Sequence, residues 1–211
     1  MPRGSATSNA TFNLSNNATL ATLSDLDVDN GGTGVFNQTG GTANIGGWLY
    51  VGTASTGHGT YNMGGGKVTA TRIVLSATTS SSPANAGTGS LNQTGGVVNC
   101  NLDVDVGNSS GGTGIYTISG PSSGPNAVTL NAGVTGTVAS GGEGLQIGWN
   151  ATGVFNQNGG IVNAMRTGVG FNGDVLGNGT YNLSGGVLTT AAIFKVSDGG
   201  TATFNFNGGT V

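Results

Sequence analysis

Charge is what this sequence most lacks: Asp, Glu, Lys and Arg make up 6% of its 211 residues, against roughly 25% in an ordinary soluble domain. Five Lys and Arg in all cannot form the basic stripe that neutralises phosphates, so nucleic acid is not an expected partner. Cysteine is nearly absent as well. Cys100 stands alone, which leaves no intrachain disulfide framework and no multi-cysteine zinc site, and its expected role is a small buried apolar residue. Histidine occurs once, at His58 within the glycine-flanked "STGHGTY", where a solvated turn residue is expected rather than a catalytic base. No apolar run approaches the ~20 residues of a membrane-spanning helix.

Glycine is what the sequence has instead, with 44 residues against a usual share of ~7%. Disordered chains pair high net charge with few apolar residues. This chain has a net charge of -3 and 35% apolar residues. Those values fit short strands joined by glycine turns.

Internal repetition supports that expectation. The stretch "GTGVFNQTGG" at 32–41 returns as "ATGVFNQNGG" at 151–160. Aligned on its aromatic position it returns eight times, at Phe12, Phe36, Tyr61, Leu91, Tyr116, Phe155, Tyr181 and Phe204, with spacings of 24, 25, 30, 25, 39, 26 and 23 residues. All but Tyr116 are followed by asparagine: Asn13, Asn37, Asn62, Asn92, Asn156, Asn182 and Asn205. A Gly-Gly pair follows in six copies, as at Gly40-Gly41 and Gly185-Gly186.

Each copy reads as three short strands. The first is "VFNQ", "TYNM" or "TYNL"; the second "KVTA", "VVNC" or "IVNA"; the third "WLYVG", "RIVLS" or "LDVDVG". All alternate with period two, favour β-branched and aromatic residues, and are bounded by glycine. The expected fold is therefore all-β: a parallel β-helix, or β-solenoid, of about seven to eight coils of roughly 25 residues with three short strands per coil. Asparagine is depleted in ordinary strands. Its recurrence at one position predicts an amide ladder running coil to coil.

The unit G-x-G-x-[FY]-N-x-x-G-G-x-[VL], followed by a strand ending in V-G or V-S, resembles the glycine-rich β-strand repeats of autotransporter passengers and other large secreted bacterial surface proteins. The resemblance spans nearly the whole chain. It implies a right-handed parallel β-helix, an extracellular or cell-surface location, and adhesive or structural use. It supplies no catalytic motif.

Chemistry is sparse. A phosphate loop needs a Lys and a helix after its glycines, and neither follows Gly41. The calcium-binding nonapeptide repeat needs an Asp where "GGTGVFNQT" has Phe36. No metal or cofactor is expected. Paired carboxylates occur at Asp25, Asp27 and Asp29, and at Asp103 and Asp105, at spacings a glycosidase could use. No neighbouring feature visible in the sequence raises a pKa among them. The chain is expected not to be an enzyme.

The third strand gathers the charge. Aligned on Val28, Val51, Leu75, Val106, Ile147, Val169 and Val196, it presents two outward columns. One holds Asp25, Trp48, Arg72, Asp103, Gly144, Arg166 and Ile193; the other Asp27, Tyr50, Val74, Asp105, Gln146, Gly168 and Lys195. This face is either a solvated edge whose charges prevent lateral aggregation, with Arg72 and Asp103 as an exposed ion pair, or a shallow polysaccharide-binding surface. In the second case Trp48 and Tyr50 stack on sugars, and Arg72, Asp27, Asp103 and Asp105 hydrogen-bond around them. Ice binding is disfavoured because threonine falls in register on no face.

Residues 1–8, opening "MPRGS", read as a tag scar or disordered leader, and 9–211 as one solenoid domain. Insertions at 77–87 and 119–144 break the period, and "AVTL" with "GVTGTV" in the second suggests a protruding hairpin. No polar cap is visible at either end. The expected role is an extracellular structural solenoid, a filament subunit, stalk or adhesin shaft, whose partner is itself through end-to-end stacking. The alternative is a polysaccharide-binding module.

Overall fold

The computed structural model describes residues 8–78, 86–134, 144–170, 177–195 and 200–211. Within these residues the protein is a parallel β-solenoid of seven complete coils and the first strand of an eighth, without helix. Residues 1–7, 79–85 and 135–143 lie outside the described residues, and with them most of the expected leader and parts of both insertions.

Each coil opens with a six-residue strand, at Asn9–Leu14, Thr33–Gln38, His58–Met63, Thr88–Gln93, Thr113–Ile118 and Thr201–Phe206. A four-residue second strand follows, as at Thr42–Ile45, Lys67–Ala70, Val97–Cys100 and Thr129–Ala132. In two coils these first and second strands run together, at Thr152–Ala164 and Asn178–Thr190. First and second strands therefore share one bent sheet of 13 strands, while the third strands form a separate sheet of seven. The best-formed third strands are Trp48–Thr53 and Arg72–Ala77.

Alternation decides which side chains face inward. In Thr33–Gln38, His58–Met63 and Thr88–Gln93 every second residue is buried, starting from a glycine. Phe36, Tyr61, Leu91, Tyr116, Phe155 and Tyr181 thereby fill one interior column. Their rings stack with centroids 4.6 Å apart at Phe36–Tyr61 and 5.0 Å at Tyr116–Phe155, while Leu91 interrupts the stack. Such pairs contribute about 0.5–1.5 kcal/mol each beyond their burial.

A glycine column accounts for the "G-x-[FY]" signature. Gly34, Gly59, Gly89, Gly114, Gly153 and Gly179 stand in register where the first strand crosses close over the third. A Cβ on Gly89 would lie 2.0 Å from the Val51 carbonyl oxygen, and one on Gly153 2.0 Å from that of Val106. No side chain fits there.

The structure departs from expectation in four places. The last third strand, Ile193–Lys195, pairs Thr167 with Ile193 and Val169 with Lys195, one residue off the sequence alignment. Ile193 thus stands beside Thr167 rather than Arg166, although its side chain remains 39% exposed, and Phe194 rather than Lys195 stands beside Gly168; a one-residue slip exchanges the register faces of a strand. Second, "AVTL" does not protrude. Thr129–Ala132 is an ordinary second strand pairing with Val97–Cys100, because Leu130 is needed beside Val98 and Val162 in the core. Third, threonine does stack in register: Thr33, Thr88, Thr113, Thr152 and Thr201 share one outward column, broken by His58 and Asn178. The fourth concerns the charged face and is described next.

Candidate functional site

The third-strand register places Trp48 beside Arg72 and Tyr50 beside Val74 on neighbouring coils, with Asp105 beside Val74 on the coil beyond. Asp27 lies one coil below Tyr50. Trp48, Tyr50, Arg72, Asp103 and Asp105 are therefore brought together, with Asp27 at their margin.

The cluster is not the exposed face expected from sequence. Asp103 is 0% and Asp105 2% exposed. Alternation alone assigns both to an outward column, but it does not show how deeply neighbouring coils and connections cover that column. Arg72 donates from Nη2 to Asp103 Oδ2 at 2.5 Å, and its Nη1 lies 4.0 Å from Asp105 Oδ2. Asp103 Oδ1 accepts the backbone N–H of Gly144 from the next coil, at 3.2 Å. One carboxylate thus ties three coils together. Removing Arg72 would leave the buried Asp103 carboxylate without its counter-ion, the costly direction for such a pair, because Arg72 itself is 28% exposed and Asp103 is 0%. Arg72 also lies over the Trp48 ring, 4.8 Å from its centroid, and the Trp48 and Tyr50 rings are 5.5 Å apart.

Asp105 is the strained member. Its Oδ2 accepts from Asn108 Nδ2 at 3.1 Å, while its buried Oδ1 has no hydrogen-bond partner. Burial pushes its carboxyl up to about 7, against the opposing pull of Arg72. The absence of any pKa-raising feature, expected from sequence, is corrected here: the feature is desolvation. Tyr50 is likewise pushed up to about 12, by burial first and then by Asp25 and Asp27.

A second buried acid, Asp29, lies two residues beyond Asp27 on the same coil, just past the strand Leu26–Asp27. Asp29 Oδ1 accepts the backbone N–H groups of Gly52 at 2.7 Å and Thr53 at 3.2 Å, whereas Oδ2 has no partner. Burial raises its carboxyl to about 6, against the lowering effect of those two bonds. Its oxygens pack where Gly57 and Gly59 leave room, since a Cβ on either would approach them within 2.2 and 2.5 Å.

Asparagine forms the ladder along the first strands. Asn37 Nδ2 donates to Asn13 Oδ1, Asn62 to Asn37, and Asn92 to Asn62, at 2.9–3.0 Å. Thr117 interrupts the column. It resumes with Asn182 donating to Asn156 and Asn205 to Asn182, at 2.8 Å. Every rung donates toward the lower-numbered coil.

Two further ladders lie outside the sequence-derived site. Asn131 donates to Asn99 and Asn163 to Asn131, each at 2.8 Å, on the outer side of the second strands. The signal was the shared Asn in "VVNC", "TLNA" and "IVNA". Inside the coil, Gln38, Gln93 and Gln157 are fully buried. Each accepts a tyrosine hydroxyl from the following coil, at 2.5–2.8 Å.

Cys100 is fully buried beside Ala70 and Ala132, and its thiol lies 3.0 Å from the Asp103 carbonyl as donor. Among the described residues no group of three His, Cys, Asp or Glu is placed to hold a metal ion. No helix among the described residues is long and apolar enough to cross a membrane. Fold and site together define a parallel β-solenoid with one part-buried ionic brace and external amide ladders. The chain matches no family model, no curated protein and no solved structure.

Proposed function

We propose that the protein is a structural shaft, extracellular or surface-borne, whose coils stack end to end with those of further copies. The observation that carries this reading is the directional ladder. Each asparagine within it donates toward the preceding coil and accepts from the following one, so one face of a coil is the complement of the other. The strands bearing them match in register as well, with Phe12 corresponding to Phe204 and Leu14 to Phe206. Phe12 and Phe206 are exposed. A head-to-tail contact of this kind repeats without closing and yields filaments. Glycine corners, low charge and the resemblance of the repeats to secreted surface proteins agree with such a role, and the protein is taken as non-enzymatic.

Light scattering and negative-stain microscopy of the purified chain test the proposal. Fibres of constant width are expected, and Phe206→Asp should abolish them without unfolding the monomer. A monodisperse monomer at high concentration overturns it.

Polysaccharide binding at Trp48 and Tyr50 is the second reading, favoured by two half-exposed rings side by side. Asp103 and Asp105 lie too deep to contact such a ligand, and Arg72 occupies one face of Trp48. Of the expected contacts, the two rings are left part-exposed for it. Unchanged glycan binding in Trp48→Ala rules it out.

A further inference from the structure

The second-strand amide ladder is the floor of an open groove. Asn99, Asn131 and Asn163 line a cavity of about 360 Å³ together with Val134, Met165 and Thr189. A larger groove, of about 540 Å³, runs over Asn37, Asn62 and Asn92 of the first ladder. Both grooves therefore follow columns of amides, and no ionisable side chain lines either.

An asparagine amide offers two N–H donors and two acceptor lone pairs. In the ladder Asn131 uses one of each, donating to Asn99 and accepting from Asn163. One donor and one acceptor are left over on Asn131, and the amide column spans three successive coils, ~4.8 Å apart, with Thr69 and Thr189 continuing it on either side. Hydroxyl groups, which both donate and accept, complement that pattern, whereas a charged ligand finds no counter-ion. The wall is apolar: Val134 is 56% exposed, and Met165 lies beside it. An apolar wall over a row of alternating donors and acceptors suits a pyranose ring, which has an aliphatic face and a polar rim. Successive rings in an extended chain repeat at a length close to the coil spacing.

The geometry points to this groove as a binding site for a neutral, linear polysaccharide lying along the solenoid axis, one sugar ring to each coil. It is separate from the Trp48 face and depends on neither end-to-end stacking nor that second reading. The full chain is titrated by calorimetry with cellohexaose, chitohexaose and mannohexaose, with a galacturonate hexamer as acidic control. Binding of at least one neutral hexamer and not of the acidic one is expected. Val134→Lys, an exposed substitution, should weaken it at least tenfold with an unchanged melting temperature, whereas Asn131→Asp should weaken it and also lower the melting temperature, because its donation to Asn99 is lost. Trp48→Ala should leave it intact. No binding of any neutral hexamer at millimolar concentration overturns the site, and so does binding that survives Val134→Lys.

Discussion

Tyr61 donates its hydroxyl to Gln38 Oε1, 2.6 Å away on the preceding coil, and both side chains are fully buried. The same bond joins Tyr116 to Gln93 at 2.8 Å and Tyr181 to Gln157 at 2.5 Å. Each glutamine also donates, Gln93 to the carbonyls of Gly96 and Thr129. The interior polar groups are thus satisfied in pairs of coils: one carries Phe or Leu with Gln, the next Tyr with Met, Ile or Leu.

Tyr116→Phe should therefore destabilise the protein by about 1–3 kcal/mol, the cost of leaving a buried acceptor unpaired. Adding Gln93→Met, which imitates the alternate coils, should return part of that loss. Urea denaturation of both single variants and the double variant measures the coupling. Strictly additive effects would mean that the bond contributes nothing.

Glycine tolerance should differ sharply between two positions. Gly89→Ala drives a methyl group against the Val51 carbonyl. Overpacking against rigid backbone costs about 1–3 kcal/mol or more. A Cβ on Gly64 meets only the Gln38 carbonyl oxygen, at 3.9 Å. Gly64→Ala should stay within about 0.5 kcal/mol of the parent. Thermal melts of the two variants decide the point.

Acidic pH should stabilise this protein. Asp105 and Asp29 are raised in the folded state from 3.8 to about 7 and about 6. Between pH 4 and 7 the folded chain binds more protons at these sites than the unfolded chain does. Their contribution is complete below the unfolded value and is lost as pH rises through the folded one. Stability should fall by on the order of a few kcal/mol between pH 4 and 8 from these two sites. Calorimetry across that range should show a falling melting temperature, and Asp105→Asn should flatten the slope and raise the value at pH 8. A melting temperature that climbs with pH would contradict the burial argument.

Periodicity made the coil legible from sequence, because a two-residue alternation bounded by glycine leaves few other folds. Asn37, Asn62 and Asn92 were visible as a column because they follow the aromatic used for alignment. Asn99, Asn131 and Asn163 follow no such landmark, and Asn131 lies inside the 119–144 insertion. Gln38 and Tyr61 were both in plain view. Their pairing was hidden because a glutamine in a strand reads as an outward polar residue until its neighbour's hydroxyl is placed. Burial of Asp103 depends on cover from other parts of the chain, which no strand-by-strand alternation contains. The slipped register of Ile193–Lys195 turns on one residue, below the resolution of a pattern matched on apolar spacing.

The pairing of Tyr with Gln also gives the solenoid a parity. Deleting the coil of Tyr61 and Met63 would set Gln93 directly above Gln38, leaving Gln38 without its phenol. Deleting that coil together with the next would bring Tyr116 over Gln38 and restore the bond. A chain of this design can lengthen or shorten without penalty only by two coils at a time.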